Sequence, residues 1–340
     1  MSGRRGLATG VLLVAVPVLL VLMTCGGGID WLTPGRLLAA LRGELTGTEL
    51  ALVRLRWWKA ATTAVVGASL ALSGALLQGL FRNGLASPSL VGISGGANLA
   101  SSAALLGLTR VTALAGAAPV LVPVAGFIGA LGDGSLVATL ARRNGRLSIP
   151  TLLLTGLAVN AFLAGLLAAL QSLSLAQPDI LRELLSLSFG KLDDRNGGHA
   201  LTGLVGLVVG LLVLPFVARS LDLLQAGEED AASLGVDVPR VQATCLAAAC
   251  LAASCAVAVA HQVPFVGLMV PHLLRRLVGP GQHVLWLAAP AGAVFLLLTE
   301  LVQVRVFGLG VLQPGVVLSL LGGPFFLLLL REQGRELRSW

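Results

Sequence analysis

The chain is short of charge: its 340 residues include 23 Lys or Arg and 16 Asp or Glu, which is 11% in all. Soluble domains carry roughly 25% charged residues, so the sequence excludes a soluble enzyme with a single packed core. Disorder is excluded as well, because disordered chains are poor in Leu and Val whereas 56% of this chain is hydrophobic. The apolar excess must face lipid, and it predicts an all-α integral membrane protein.

Motifs that carry chemistry are also missing. The Gly-Lys pair at residues 190–191 is followed by Leu, so there is no GxxxxGK[ST] phosphate-binding loop, and HExxH and DxDxDG do not occur. Three of the four cysteines, Cys245, Cys250 and Cys255, are spaced so that they point to different sides of a helix and form no CxxC pair. We therefore expect no catalytic residue, no metal site and no cofactor bound by this chain.

Ten charge-poor stretches approach the length of about 20 residues that crosses a bilayer. The predicted spans are 6–28, 60–81, 91–109, 111–132, 147–171, 200–218, 241–260, 263–277, 284–303 and 306–330. The first stretch has no A-x-A-like cleavage site and is longer than the apolar core of a signal peptide, so we interpret it as a span.

The basic residues indicate the orientation of these spans. With a cytoplasmic N terminus, ten spans place the C terminus in the cytoplasm too, and 13 of the 23 basic residues then lie on the cytoplasmic side. The net charge of +7 is scattered in ones to threes without interleaved aromatics, which does not indicate nucleic-acid binding. The sequence thus predicts a multi-pass protein of a bacterial inner membrane.

The largest group of acids lies in residues 221–240, between the sixth and seventh predicted spans. We call this stretch the acidic segment. Gly227 and Gly235 divide it into two predicted short helices, and Glu, Glu and Asp at 228–230 begin the second, where the helix dipole favours negative charge. Such a compact, partly apolar protrusion is suited to being held by another protein. A solvated connecting loop is the alternative interpretation.

Two Gly- and Pro-rich stretches interrupt the apolar pattern, at residues 81–98 and 260–276. They follow the second and the seventh predicted spans, so they occupy matching positions five spans apart. Five is odd, so the two halves of the chain run through the bilayer in opposite directions, which predicts an inverted repeat. Irregular backbone at membrane depth is tolerated where neighbouring helices or a cavity satisfy it, and we expect these stretches to flank a path.

Four stretches carry a family resemblance. They are GASLALSGALLQGLFRNGLASPSLVGISGGA at 67–97, LQAGEEDAASLGV at 224–236, VPFVGLMVPHLLRRLVGP at 263–280 and PGVVLSLLGGPFFLLLL at 314–330. With them the chain resembles, over nearly its whole length, the FecCD family, the permease subunits of type II ABC importers for ferric siderophores, haem and vitamin B12.

The resemblance implies the type II ABC importer permease fold, with residues 1–340 as a single transmembrane domain. This chain would be half of a permease dimer, paired with an identical or paralogous half. Two ATPase subunits, which would hold the ATP and Mg, and a substrate-binding protein would complete the complex. The acidic segment would supply the coupling helices that dock into the ATPase. The candidate coupling residues are Leu224, Gly227, Glu228, Glu229, Ala231, Leu234 and Gly235.

The resemblance also implies a translocation path. The span at 147–171 would line the pore, which makes Asn160 and Gln171 candidate polar path residues, although interhelical hydrogen bonds explain them equally well. The remaining pathway candidates lie in the last two stretches: Pro264, Phe265, Gly267, Pro271, His272, Gly322 and Pro324.

Some residues depart from the family pattern or remain open. Gly84 stands where Pro is usual, Ala260-His261 stands where Gly-Pro is common, Gln313-Pro314 replaces Leu-Pro, and Glu300 stands where Asp is usual. Glu300 and Asp133 are acids within spans, and each could line a cavity, pair with a neighbour on another helix or relay protons.

The predicted function is import of an iron chelate, most often a ferric siderophore in this family, by alternating access. Haem or cobalamin import is the alternative within the family. An ion-coupled secondary transporter is the rival from another class, supported by the inverted repeat and the two acids. A membrane enzyme is disfavoured by the missing catalytic motifs.

Overall fold

The structure is a computed structural model that describes residues 2–28, 31–110, 117–143, 146–309 and 312–336. The described residues are almost entirely helical, and their one sheet is a pair of two-residue strands, β1 (Arg142–Arg143) and β2 (Arg146–Leu147). The expectation of an all-α fold is confirmed. Parts of two predicted spans, residues 111–116 and 310–311, lie outside the described residues.

Thirteen helices are present in these ranges, together with a 3-10 helix at Pro88–Val91. They are α1 (Ser2–Gly26), α2 (Pro34–Leu41), α3 (Gly47–Phe81), α4 (Ile93–Arg110), α5 (Ala118–Leu140), α6 (Ile149–Leu173), α7 (Pro178–Phe189), α8 (Gly197–Leu224), α9 (Glu228–Ser233), α10 (Val238–Ala260), α11 (Val266–Val278), α12 (His283–Phe307) and α13 (Pro314–Glu336).

Ten of these helices correspond in order to the ten predicted spans: α1, α3, α4, α5, α6, α8, α10, α11, α12 and α13. Seven of them, all but α4, α11 and α13, are long and apolar enough by themselves to cross a membrane. The helix α11 has only 13 residues, so it is too short to span about 30 Å of hydrocarbon at 1.5 Å per residue.

Two helices have bounds that differ from the predicted spans. The prediction ended the fourth span at residue 132, but α5 continues through Asp133 to Leu140. The Asp133 carboxylate is accommodated against α4, where one of its oxygens accepts a hydrogen bond from the Gly96 amide at 3.2 Å. The predicted ninth and tenth spans, 284–303 and 306–330, met near residue 305. Instead α12 runs to Phe307 and α13 begins at Pro314.

The centre of the bundle is α3, which packs against α1, α8, α10, α11 and α12. Nearly every residue of its second half is buried, including small residues that admit neighbouring backbones. Gly67 contacts the backbone of Gly292 on α12, and Gly74 contacts the backbone of Gly267 on α11. A Cβ at any of these positions would lie against a main-chain carbonyl, so the glycines set how closely the helices approach.

We predict that Gly67→Ala lowers the stability of the protein by about 1–3 kcal/mol, because the new methyl group has no space against Gly292. Gly10→Ala on α1 is the control, since nothing lies within 4 Å of its Cβ position. That control should be neutral or stabilising by about 0.5–1 kcal/mol. Thermal unfolding in detergent measures both, and equal melting temperatures for the two variants would contradict the close contact of α3 with α12.

Candidate functional site

The acidic segment forms a short protrusion at one end of the bundle. The sequence predicted two short helices here, but residues 221–224 are the last turn of α8 and only α9 is a separate helix. Gly227 precedes α9 with a φ of 147°, and Gly235 follows it with a φ of 86°. Both angles favour glycine, so the two glycines set the direction in which the chain enters and leaves α9.

The candidate coupling residues divide into a support and an exposed face. Leu224 and Ala231 are buried, with exposed fractions of 2% and 0%, so they anchor the protrusion to the bundle. Leu234 is 66% exposed at the C-terminal end of α9. Glu229 is also exposed, and Glu228 is exposed but accepts a hydrogen bond from Gln242 Nε2 on α10 at 3.0 Å. The exposed face therefore combines one apolar side chain with acids.

The two Gly- and Pro-rich stretches contact each other. We call residues 83–92 the first break, between α3 and α4, and residues 261–265 the second break, between α10 and α11. Gly267, at the start of α11, packs against Pro88 of the first break, whose ring lies 2.9 Å from the Cβ position of Gly267. Asn98 on α4 donates to Gln262 Oε1 of the second break at 2.7 Å. The breaks thus form one junction near the centre of the bundle.

Gln78, on the last turns of α3, lies within this junction and is 2% exposed. Its Nε2 group is 3.2 Å from the Ala86 carbonyl of the first break, and 3.4 Å and 3.2 Å from the Gly267 and Leu268 carbonyls of α11. Its Oε1 atom accepts a hydrogen bond from Arg275. One carboxamide therefore joins α3, the first break and α11.

Most predicted pathway residues gather around α11 and α13. Phe265 has a φ of 66° and caps α11, and its ring lies against the backbone of Gly322 on α13. The His272 ring meets the Phe325 ring edge to face, with 6.0 Å between centroids. Pro271 and Pro324 lie inside α11 and α13. The structure thus brings these residues together, while Pro264 lies beside them in the second break.

The two polar candidates on α6 lie apart from that group. Asn160 donates to the Ser89 carbonyl of the first break at 2.8 Å, and Gln171 donates to Ser188 Oγ on α7 at 3.1 Å. Both side chains are half-buried. Hydrogen bonds to neighbouring elements, the alternative to a pathway role, are therefore present, and a role of either residue in the path stays a prediction.

Comparison with known proteins identifies this architecture. The FecCD transport family matches residues 13–332. The chain belongs to the FecCD family. Relatives include a cobalamin import permease of Halobacterium salinarum, 39% identical over 81% of this chain and 71% of the relative. A hemin transport permease of Yersinia pestis is 38% identical over 81% of each chain.

A third relative, the Fe(3+) dicitrate permease FecD of Escherichia coli, is 32% identical over 78% of this chain and 80% of that protein. The fold is also shared with a chain of a solved inward-facing ABC transporter assigned to the metal-chelate type. That chain has a TM-score of 0.79 and 24% identity over 96% of this chain and 99% of the other. This protein is therefore a permease of the type II ABC importer family, as the resemblance implied.

At the end of this FecCD permease opposite the acidic segment, a buried ion triad joins three elements. Lys59 Nζ on α3 lies 2.7 Å from Glu300 Oε1 on α12 and 2.5 Å from Asp193 Oδ1 in the loop before α8. The Lys59 and Glu300 side chains are 7% and 2% exposed, whereas that of Asp193 is 41% exposed. The expectation that another helix supplies the partner of Glu300 is confirmed.

The loop that carries Asp193 is itself fixed. Arg195 donates through Nε and Nη2 to the Lys191 carbonyl, at 3.1 Å and 2.8 Å. Burial lowers the pKa of Arg195 to about 10, which keeps it charged at neutral pH. Arg305, also at this end, donates to the Gly26 carbonyl at 2.5 Å and lies over the Trp31 ring. It therefore ties α12 to the end of α1 rather than pairing with Glu300.

Three amides of this site were not predicted from the sequence: Gln78, Asn98 and Gln225. Each lies within or beside one of the resemblance stretches, where a long polar side chain interrupts small and apolar residues. An uncharged amide among such residues was the available signal, because polar side chains within spans form interhelical bonds. Within the described residues, no cluster of three metal-ligating side chains occurs.

We predict that Lys59→Met lowers the free energy of unfolding by about 3–5 kcal/mol, because it leaves the Glu300 carboxylate buried without its cation. Lys191→Met is the control. Lys191 pairs with Glu183 at 3.3 Å with both side chains partly exposed, and such pairs contribute about 0–1 kcal/mol.

Thermal unfolding in detergent compares the two variants, and the double variant Lys59→Met with Glu300→Leu should recover most of the loss, since it removes both charges. A Lys59→Met protein as stable as Lys191→Met would show that the triad is not buried as described.

Proposed function

We propose that this chain is the transport subunit of an importer that moves an iron chelate, a ferric siderophore, into the cytoplasm by alternating access. Haem and cobalamin are the alternative cargoes. The observation that carries the proposal is the pair formed by the acidic segment and the junction of the two breaks. A surface suited to a separate motor protein is joined through Gln225 to the turn of α3 that precedes irregular backbone within a membrane bundle.

The exposed face of the acidic segment supports the proposal that a separate protein supplies the energy for transport. The α9 helix presents Leu234 and Glu229 outward while Leu224 and Ala231 hold it to the bundle. An exposed leucine among acids suits a partner surface with an apolar groove and basic residues. The chain has no phosphate-binding loop of its own, so we assign ATP and its Mg to two partner ATPase subunits that dock here.

The remaining partners follow from the same proposal. A second permease half, identical or paralogous, would complete the path, and a substrate-binding protein would deliver the cargo at the opposite end, where the ion triad and Arg195 stabilise the loop before α8. We assign the protein to a bacterial inner membrane with both termini and the acidic segment in the cytoplasm. The excess of basic residues on that side supports this orientation.

The cargo is the least constrained part of the proposal. Relatives are named for cobalamin, hemin and Fe(3+)-citrate. Iron chelates are favoured because they are the commonest cargo implied by the family resemblance. The aromatic and apolar side chains around α11 and α13, including Phe265, Phe325 and Phe326, suit a large amphipathic chelate but do not distinguish it from haem.

An ion-coupled carrier is not favoured by the geometry. Such a carrier would need Glu300 free to bind a proton or cation, yet its Oε1 atom is engaged by Lys59. Asp133 accepts a hydrogen bond from the Gly96 amide and has no cationic partner within 4.0 Å among the described residues. Glu300 is thus a component of helix packing through its ion pair, whereas Asp133 is held to α4 by a single hydrogen bond.

The direct test is uptake by proteoliposomes that contain this chain, the ATPase and the binding protein encoded beside it. Radiolabelled ferric siderophore, haemin and cobalamin are supplied separately, with ATP or a non-hydrolysable analogue inside. We expect uptake of the ferric siderophore only with ATP. ATP-dependent uptake of haemin or cobalamin instead would identify that compound as the cargo and contradict the choice of a siderophore. Absence of ATP-dependent uptake for every cargo would contradict the proposed function.

We predict that Glu229→Lys and Leu234→Asp each reduce copurification of the ATPase and ATP-dependent uptake at least tenfold, because they alter the exposed face of α9. Both residues are exposed, so the free energy of unfolding of each variant should stay within about 0.5 kcal/mol of wild type. Glu44→Lys, an exposed reversal on the far side of the bundle, is the matched control and should leave both readouts unchanged. Full ATPase binding by the α9 variants would overturn the assignment.

A further inference from the structure

Gln78 lies close to backbone carbonyls of the first break and of α11, the helix that follows the second break. Pro271 lies inside α11 and has no N–H, so the Gly267 carbonyl four residues earlier loses its helical donor. The Nε2 group of Gln78 lies 3.4 Å from that carbonyl and 3.2 Å from the Ala86 carbonyl of the first break. A single side chain thus supplies donors to carbonyls that helix geometry leaves without one.

The placement of Gln78 depends on the close approach of α3 to α11. Gly74, one turn earlier on the same face of α3, contacts the backbone of Gly267, and a larger residue would hold α11 away. Arg275 closes the other side by donating to Gln78 Oε1. The carboxamide is therefore enclosed, with both its donor and its acceptor groups engaged.

The same turn of α3 is joined to the acidic segment. Gln225, the residue after α8 and three before α9, donates through Nε2 to the Gly79 carbonyl at 3.1 Å. Leu221 of α8 lies in van der Waals contact with the Cβ position of Gly79. Displacement of the acidic segment would act first on this turn of α3, and Gln78 is the next residue along it.

We propose that Gln78 is a positioning residue of the transport cycle, which fixes the first break and α11 to the turn of α3 that the acidic segment holds. This inference rests on the proposed function. The carboxamide makes the first break and α11, which follows the second break, respond together when an ATPase moves the acidic segment. Without it, the ATPase continues to turn over, but its motion no longer reaches both the first break and α11.

The test compares Gln78→Leu with wild type in the reconstituted transporter, with uptake of ferric siderophore, haemin and cobalamin and ATP hydrolysis measured on the same vesicles. We expect uptake per ATP hydrolysed to fall roughly tenfold or more, the scale of one to two lost buried hydrogen bonds, with ATP hydrolysis retained. Ser73→Ala is the matched control. Its hydroxyl is equally buried on α3 and donates to the Ala249 carbonyl on α10 at 2.7 Å, away from both breaks.

A structural role alone would lower the melting temperature of both variants and leave uptake per ATP unchanged in both, which would overturn the inference. Equal uncoupling by Ser73→Ala would overturn it too. The proposed function fails separately, if wild type shows no ATP-dependent uptake of any of the three cargoes.

Two further variants keep the inference testable if Gln78→Leu does not assemble. Gln78→Glu retains acceptors for Arg275 but loses the donor, and we expect it to assemble and remain uncoupled. Pro271→Ala restores an N–H for the Gly267 carbonyl, so Gln78→Leu with Pro271→Ala should assemble better and recover part of the uptake per ATP. Full coupling in Gln78→Glu, or no recovery in the double variant, would contradict the role of the Nε2 group.

Discussion

The structure depends on how main-chain carbonyls are satisfied where helices are interrupted inside an apolar bundle. No water is available at such depth, and each unpaired polar group costs several kcal/mol. The first break and α11 meet this constraint through Gln78, whose amide reaches Ala86, Gly267 and Leu268. Irregular backbone can therefore persist at the centre of the bundle, which a transport path needs and a plain helical bundle does not have.

The two ends of the bundle differ in whether their charged side chains are exposed or buried. Near the acidic segment, α9 is held by buried Leu224 and Ala231 and by an amide contact from Gln225 to α3, and its acids face outward. At the other end, charges are buried and paired, with Lys59 between Glu300 and Asp193. The buried triad joins α3, α12 and the loop before α8, so that end is fixed by ion pairing. At the acidic end, by contrast, the acids of α9 are exposed at the surface.

Much of this arrangement could be predicted from the sequence, because the membrane imposes strong patterns. Ten helices follow the ten charge-poor stretches, and the Gly- and Pro-rich residues around Pro88 and Phe265 lie where helices are interrupted. Errors arose where a charge is accommodated by packing. The predicted spans ended at residue 132 and near Arg305, but α5 and α12 continue past these points, and the side chains of Asp133 and Arg305 form hydrogen bonds with the Gly96 amide and the Gly26 carbonyl.

The polar junction could not be predicted, since it depends on contacts between residues far apart in the chain. Gln78 and Arg275 are separated by 197 positions, and neither belongs to a motif with an assigned chemistry. In the same way Lys59 became the partner of Glu300 only through the packing of α3 on α12. Composition indicated a lipid environment and the acidic segment predicted a docking surface, whereas the contacts that join this segment to α3 and the first break required coordinates.

The central claim is that the acidic segment and the two breaks act as one unit, and hydrogen exchange in the assembled transporter tests it most directly. Amide protection is followed in residues 225–236, 83–92 and 261–268, with and without ATP. The account predicts that nucleotide changes the protection of all three segments in the same step. A change confined to residues 225–236, with both breaks exchanging as before, would contradict it.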